Sequence, residues 1–552
     1  MAIDPVIRCF PLGGVGEFGK NMMIYAVDGD ALIVDCGMGF PDEGHYGVDL
    51  VVPDISVLDE LCLNIHAIVL THGHEDHIGG IPFLLPQLKL PVYGTPVTLA
   101  LVRGKLDEAG VKGDLRDLSE CKMTKIGPFK VEAIPVTHSI MDAVSVVIHT
   151  VLGAIIHTGD FKFDSSPVDG RMTELHRFAR LGDEGVLLLS SDSTNATRPG
   201  SGASESSVGP ALKMAMAGCS GKIVVTTFAS NMFRIQQIID AAIANGRKVA
   251  LAGRSLERNV DVTRQLCRLN IPENALIDVK AIRDIPDAEL LIIATGSQGE
   301  FRAALARIAH DRFKEIHLKT GDLVIFSSSA IPGNERSITH IFNHIARRGA
   351  RIMHAGQAPL HVSGHAASHE LKTMIQLTRP KNFYPVHGEY RYLTEHRDLA
   401  LATGVPFERT VIAENGQCVE LDREGVRLGD TFHVGAVYVD GTSRDEIDYA
   451  VLRDRRAMAT DGMVSVTVVV SQHEGKVLGE PEIVARGVLR ESISEHVLEE
   501  IALGLKAYLN TLEKEFLSDT EEAREEVRLW VRRWIKREIG ARPMILPAVI
   551  EI

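Results

Sequence analysis

Thr71-His72-Gly73-His74-Glu75-Asp76-His77 closes the strand predicted over Ala67–Thr71 and runs into Ile78-Gly79-Gly80, which reads as a helix entry. Residues two apart on an extended segment point to the same side, so His72 and His74 can share one metal ion. A turn into the helix then aims Asp76 and His77 at a second ion nearby. Buried rings packed only as core would each need a hydrogen-bond partner of their own, and a strand–turn–helix setting is unlike a surface histidine tract. The segment therefore predicts a metal centre at the end of a strand.

Working outward, the first 160 residues read as neighbouring short strands with a few helices between them. Strands are predicted over Val6–Leu12, Met22–Val27, Ala31–Asp35, Phe129–Pro135, Ser145–His149 and Ala154–Thr158, with a hairpin turn at Asp28-Gly29-Asp30. Helical spacing falls over Ile78–Gln87 and Pro96–Ala109. Gly14-Val15-Gly16-Glu17-Phe18-Gly19-Lys20 imitates a nucleotide-binding loop, but such a loop must open a helix. Asn21-Met22-Met23-Ile24 continues as a strand, so nucleotide binding is rejected.

After the Gly/Ser-rich stretch Pro199–Ser207, strands alternate with helices up to about residue 355, the pattern of a doubly wound α/β unit. Residues 206–360 hold 20 Lys+Arg against 13 Asp+Glu, a surplus of +7 in a chain whose net charge is −14. That asymmetry suits a polyanionic partner, although domain charges also vary by chance. The chain as a whole, with 59 basic and 73 acidic residues, has no general nucleic-acid coat. Seven cysteines without a C-x-x-C pair fit neither a disulfide framework nor a zinc ribbon. With no leader-like start and no long apolar run, a soluble cytoplasmic protein is expected, with no membrane partner. From about residue 461 a third unit begins. Its last helix carries Val527, Trp530, Val531, Trp534 and Ile535 on one face, which reads as a packing stripe rather than a stacking platform for bases.

H-x-H-x-D-H in this setting resembles the signature of the metallo-β-lactamase fold. Asp35 resembles that family's supporting aspartate, His138 its third histidine and Asp160 its bridging carboxylate; the closing histidine is matched by His387, delayed as an inserted domain would delay it. Leu189–Asn195, His361-Val362-Ser363-Gly364-His365 and Tyr384–Glu389 resemble the added motifs of the β-CASP nucleases. LGGVGEFGKN near the start and Thr226–Asn231 are similar to ribonuclease J within that group. Taken singly, His138 or His387 could be structural histidines, Asp192 a helix cap, and His361 and His365 neighbours on one helix; their order carries the functional reading.

The resemblance implies a mixed α+β and α/β architecture: an αββα sandwich from 1–205 and 356–450, a β-CASP domain at 206–355, a linker at 451–460 and a small α+β domain at 461–552. It implies two divalent ions, zinc or manganese, one held by His72, His74, His138 and Asp160, the other by Asp76, His77, Asp160 and His387. Asp192 would orient His365, the group that protonates the departing oxygen or stabilises the charge developing there. Ser230, Asn231, His361, Val362, Ser363, Gly364 and His365 would contact the 5′-phosphate of the RNA. Asp49 and Asp440 resemble a structural calcium site of some relatives, though surface carboxylates fit as well. The implied activity is 5′→3′ exoribonuclease with a 5′-monophosphate preference and added endonuclease activity, in RNA maturation and decay, by a homodimer or homotetramer that also meets other RNA-degradation proteins. Competing readings are a small-molecule hydrolase of the same fold, a catalytically silent RNA-binding subunit, and a β-CASP enzyme acting on DNA or on RNA 3′ ends.

Overall fold

The computed structural model describes residues 6–42, 44–118, 122–331, 333–440, 446–471, 473–474, 476–488, 491–513, 517 and 519–552, with 491–494 in backbone only. The strand Met22–Val27 shows why the first part folds as it does. Met23 and Tyr25 enter one apolar cluster, while Met22, Ile24 and Ala26 enter another on the opposite face. A strand buried on both faces reads as a continuous apolar run and must lie inside a layered structure. It belongs to an eight-stranded sheet in the order Val426–Thr431, Gln417–Leu421, Ile7–Gly13, Met22–Val27, Asp30–Val34, Asn64–Val69, Val92–Gly94, Leu115–Asp117. Asp28 and Gly29, with φ of 51° and 89°, form the two-residue turn that joins Met22–Val27 to Asp30–Val34.

A six-stranded sheet faces it, in the order Asn382–Val386, Val186–Asp192, Gly153–His157, Val144–Thr150, Phe129–Pro135, Met123–Ile126. Ile7, Tyr25 and Val69 of the first sheet share one core with Val131, Val146 and Tyr384 of the second. Ile81, Leu84 and Val102 from helices cover the outside of the first sheet, and Phe178, Leu371 and Ala400 cover the second. Helix, sheet, sheet, helix is the αββα order expected.

Between Val186–Asp192 and Asn382–Val386 the chain builds a third sheet, all parallel, in the order Leu276–Ile277, Lys248–Ala252, Leu290–Ala294, Ile223–Thr226, Leu323–Phe326, Arg351–His354. Met232–Ala244 packs on one face and Glu335–Arg347 on the other, through Ile235 and Ile238 and through Ile341 and Ile345 respectively. The Gly/Ser-rich stretch Pro199–Ser207 is tied down: Gly202 N–H donates to Glu370 Oε2 at 2.8 Å, and Glu205 is buried.

A second compact unit comprises 40–51 with 437–552. Its sheet runs Lys476–Arg486, Met463–Ser471, Met544–Glu551, and its core takes Val527, Val531 and Ile535 from Thr520–Glu538, with Trp530 and Trp534 packed against it. The stripe is therefore packing. Two readings need correction here. Residues 451–460 are not a linker but the body of the helix Tyr449–Asp461, because Leu452 buries an apolar contact that a linker lacks. Segments 40–51 and 437–450, read with the sandwich, cluster with the second unit; nearness along the chain does not decide which core a segment joins.

Candidate metal centre and its supports

The histidine motif leaves the strand Asn64–Val69 and turns into the short helix Glu75–Ile78 at the open end of both sheets. Asp35, at φ 62° just past Asp30–Val34, holds that turn in place. Its Oδ1 accepts Thr71 N–H at 2.8 Å, and its Oδ2 accepts Thr71 Oγ1–H and His77 Nδ1–H, each at 2.7 Å. The last bond fixes the His77 tautomer and frees Nε2. From the other side, Asn21 N–H and Nδ2–H both donate to the Asp76 carbonyl at 3.0 Å, and Nδ2 lies 3.1 Å from His77 Nε2.

Two sets of four ligand atoms result. His74 Nδ1 lies 3.0 Å from His72 Nε2 and 3.1 Å from His138 Nε2, and Asp160 Oδ2 lies 3.5 and 3.6 Å from those two Nε2 atoms. On the other side, Asp160 Oδ1 is 3.4 Å from both His77 Nε2 and His387 Nε2, and Asp76 Oδ2 is 3.6 and 3.5 Å from them. Within each set all donors fall within 4.8 Å of one another. Edges of 3.0–3.6 Å are what four ligands make around one ion at about 2.0–2.2 Å. Asp160 contributes one oxygen to each set. The residues fit metal ions for a further reason: Asp160 Oδ1 and His387 Nε2 are buried without a hydrogen-bond partner among the described residues, a cost that a coordinated ion removes.

The charges agree. Burial holds His72 and His138 well below the ordinary imidazole range and His74 down to about 4, so these rings stay neutral and offer lone pairs. Burial opposes ionisation of Asp76, Asp160 and Asp192, but neighbouring imidazoles hold all three below the usual carboxylate range. Burial likewise disfavours charge on His77 and His387, yet Asp160 and the other facing carboxylates raise both well above the ordinary value. Three clustered carboxylates demand positive charge, which protons supply when metal does not.

Of the remaining expected residues, Asp192, His365 and Gly364 adjoin this centre. Asp192 Oδ2 accepts His365 Nδ1–H at 2.8 Å, and His365 Nε2 then lies 3.9 Å from Asp160 Oδ2. Against burial, Asp192 and Asp160 raise the His365 imidazole. Residues 360–366 are not helical, so His361 and His365 are not one turn apart on a helix. Gly364 passes so close to His138 that a Cβ would lie 2.8 Å from Cε1, and its carbonyl accepts His138 Nδ1–H at 2.8 Å. Ser363 Oγ accepts Asn195 Nδ2–H at 2.8 Å. Val362 buries its side chain in the core of the inserted sheet, so that side chain is withheld from any ligand. Asn231 Oδ1 caps its own helix through Arg234 N–H at 2.9 Å.

Ser230 and Asn231 follow the carboxyl end of Ile223–Thr226, and residues 360–364 follow Arg351–His354, two places along in the same parallel sheet. Arg234 links them: its Nη1–H donates to Leu360 O at 3.0 Å and to Ser327 O at 2.8 Å, while Glu205 accepts from Nε at 2.7 Å and Nη2 at 2.9 Å. Asp49 N–H donates to the Val439 carbonyl at 3.1 Å, which brings Asp49 next to Asp440 along the chain, but neither belongs to a cluster of metal-ligand atoms among the described residues.

Asn21 and Arg234 were not anticipated, and Asn195 entered only as the last residue of the Leu189–Asn195 motif, without a role. Single amides and one arginine carry no ligand spacing.

Residues 15–190 match the family model of the metallo-beta-lactamase superfamily, 220–345 that of the ribonuclease J beta-CASP domain, 354–411 the Zn-dependent metallo-hydrolase RNA specificity domain, and 450–552 the ribonuclease J C-terminal domain. The ribonuclease J of Mycolicibacterium smegmatis is 41% identical over 99% of this chain and 97% of its own length. The chain belongs to the ribonuclease J family. Ribonuclease J 1 of Streptococcus pyogenes serotype M3 is 42% identical over 88% of this chain and 87% of its own, and ribonuclease J of Helicobacter pylori J99 is 38% identical over 94% and 75%. A crystal structure titled as a protein of unknown function from Enterococcus faecalis V583 shares the fold, with TM-score 0.54 and 15% identity, over 75% of this chain and all of that one. As a ribonuclease J, the chain is a metal-dependent hydrolase that binds and cleaves RNA. Among the described residues no helix is long and apolar enough to cross a membrane.

Proposed function

We propose that this ribonuclease J removes nucleotides from the 5′ end of RNA, prefers a 5′-monophosphate, and also cuts internally where no end is docked. One observation carries the reading: the carbonyl of Gly364 is hydrogen-bonded to His138, a candidate metal ligand. A terminal phosphate received at Ser363 and Gly364 would therefore lie at a short, fixed distance from the cleavage point, which suits release of one nucleotide at a time. A triphosphate is longer and would misplace the scissile bond.

The donor sets suit two divalent ions per chain, zinc or manganese. When bound, such ions supply Lewis acidity that activates water near neutral pH and offsets charge on the phosphate. The protein's own part is positional. His72, His74, His138 and Asp160 hold one ion and Asp76, His77, Asp160 and His387 the other. His365, kept protonated by Asp192, donates from Nε2 to the departing oxygen. Ser230, Asn231, His361 and the backbone at Ser363–Gly364 receive the end phosphate. The same reading includes homo-oligomers formed through the second unit, a cytoplasmic location and contacts with other RNA-degradation proteins.

The test uses one RNA with a 5′-monophosphate or a 5′-triphosphate, labelled in separate samples at the 3′ end and internally so that the order of label loss gives the direction, in manganese, with Asp76→Ala/His77→Ala as the blank. Mononucleotide release from the monophosphate form, lost in the blank, is expected. Ser363→Ala should narrow the preference between the two ends. Progressive shortening from the 3′ end, or equal rates on both ends, would overturn the reading.

A further inference from the structure

The inserted unit carries a second cluster of imidazoles in which the nuclease centre has no part. His340 and His344 lie one turn apart on Glu335–Arg347, and the helix Ala304–Ala309 ends at His310. Ring centroids of His310 and His344 are 4.0 Å apart, and those of His340 and His344 are 4.6 Å apart. One nitrogen from each of the three rings falls within 4.8 Å of the others.

Two details go beyond crowding. Nε2 of His340 and Nε2 of His344 are 3.2 Å apart. That is the separation of two nitrogens bound to one ion at about 2.0–2.1 Å. His310 Nδ1–H donates to the Ala306 carbonyl at 2.7 Å, which fixes its tautomer and leaves the Nε2 lone pair free. A backbone carbonyl on the far ring nitrogen is the usual support of a metal-binding histidine. His340 is exposed and the other two are half-buried, so an ion can reach the cluster from solvent. The cluster contains no carboxylate, and Arg302, Arg307 and Arg312 line an open cavity of about 300 Å³ that includes His310. That environment repels magnesium and calcium, which need oxygen ligands. It leaves ions whose bonding to imidazole nitrogen outweighs the local positive charge.

We propose that His310, His340 and His344 bind one nitrogen-preferring transition-metal ion, of which zinc is the reference, at a site separate from the nuclease centre. With three protein ligands the fourth position stays open to water. The ligands come from two helices, so the ion would clamp the end of Ala304–Ala309 to Glu335–Arg347.

The test counts ions. Full-length protein is stripped, dialysed against a zinc buffer and analysed for zinc per chain, as wild type and as His340→Ala/His344→Ala. The double variant should hold one ion fewer while its RNA cleavage in manganese is unchanged. His310→Gln, a single change, should weaken zinc binding at this site by at least about tenfold. Circular dichroism checks that each variant is folded, which the exposure of His340 favours. Equal zinc in wild type and double variant would overturn the proposal, and so would loss of cleavage together with the ion, since the site would then not be separate. Failure of the 5′-end reading would leave the ion count untouched.

Discussion

The Arg234–Glu205 pair offers the sharpest test of how the inserted sheet holds the candidate phosphate pocket. Arg234 is fully buried and Glu205 is 4% exposed. The guanidinium makes two bonds to Glu205 and further ones to Ser327 and Leu360, and Glu205 Oε1 also accepts from Gln237 at 3.0 Å. Arg234→Met leaves a buried carboxylate with a single amide donor, and Glu205→Met leaves a buried guanidinium with only neutral acceptors, the Ser327 and Leu360 carbonyls and the Ser327 hydroxyl. Breaking one side of such a pair costs about 3–5 kcal/mol, whereas replacing both with apolar groups of similar size costs far less. Arg234→Met/Glu205→Met should therefore regain most of the stability that either single change loses, leaving a deficit of roughly 1–2 kcal/mol. Function should not recover with it. Leu360 and Ser327 lose their common anchor in both Arg234 variants, so the 360–364 segment loosens and the preference for 5′-monophosphate over 5′-triphosphate RNA falls. Urea unfolding gives the stabilities, and rates on the two RNA ends give the preference. Additive losses in the double variant, or an end preference that returns along with stability, would refute the reasoning.

Asp192→Asn should lower kcat by about 10²–10⁴-fold with little change in KM, because His365 loses the charge that keeps its ring protonated; single-turnover rates at saturating RNA measure it, and an unchanged kcat would remove His365 from proton transfer. Gly364→Ala places a Cβ 2.8 Å from His138, so it should reduce both bound metal and kcat, the latter by about a hundredfold if the ligand moves by 1 Å; elemental analysis beside the rate assay checks both. Glu132 takes a two-point bond from Arg177, at 2.6 and 2.8 Å, and His149 lies 3.3 Å away. Against burial, these partners hold its carboxyl down at about 2. A depressed folded value gives stability that is whole above the ordinary Glu range and lost as pH falls from about 4.5 toward 2. Glu132→Gln should cost on the order of 2 kcal/mol at neutral pH, allowing for solvent around Arg177, and the gap should narrow below about pH 4.5 and close only near pH 2. A gap independent of pH in urea titrations would contradict the pairing.

What the chain declares by itself is the chemistry that lies close together in sequence. His72, His74, Asp76 and His77 span one strand–turn–helix, so local geometry alone aims them, and their spacing is legible without a fold. Strands such as Phe129–Pro135 and helices such as Pro96–Ala109 fall where periodicity places them, since each pattern reflects burial of one or both faces. The insertion was legible too, as a change from neighbouring strands to strand–helix alternation. Long-range partners were legible only through the family resemblance. His387 reaches the centre because Val186–Asp192 pairs in parallel with Asn382–Val386 across the whole inserted domain, and His138 because Phe129–Pro135 lies in the same sheet. Asn21 supports the metal turn from a glycine loop that looked like a nucleotide site, Asn195 braces Ser363, and Arg234 binds a glutamate from the Gly/Ser-rich stretch Pro199–Ser207. Segment 40–51 joins a compact unit whose other residues begin almost 400 positions later. Ligand spacing and hydrophobic period are local quantities, written in neighbouring residues. A single buried amide or guanidinium has meaning only beside the groups it satisfies, and those groups meet it only when the sheets close.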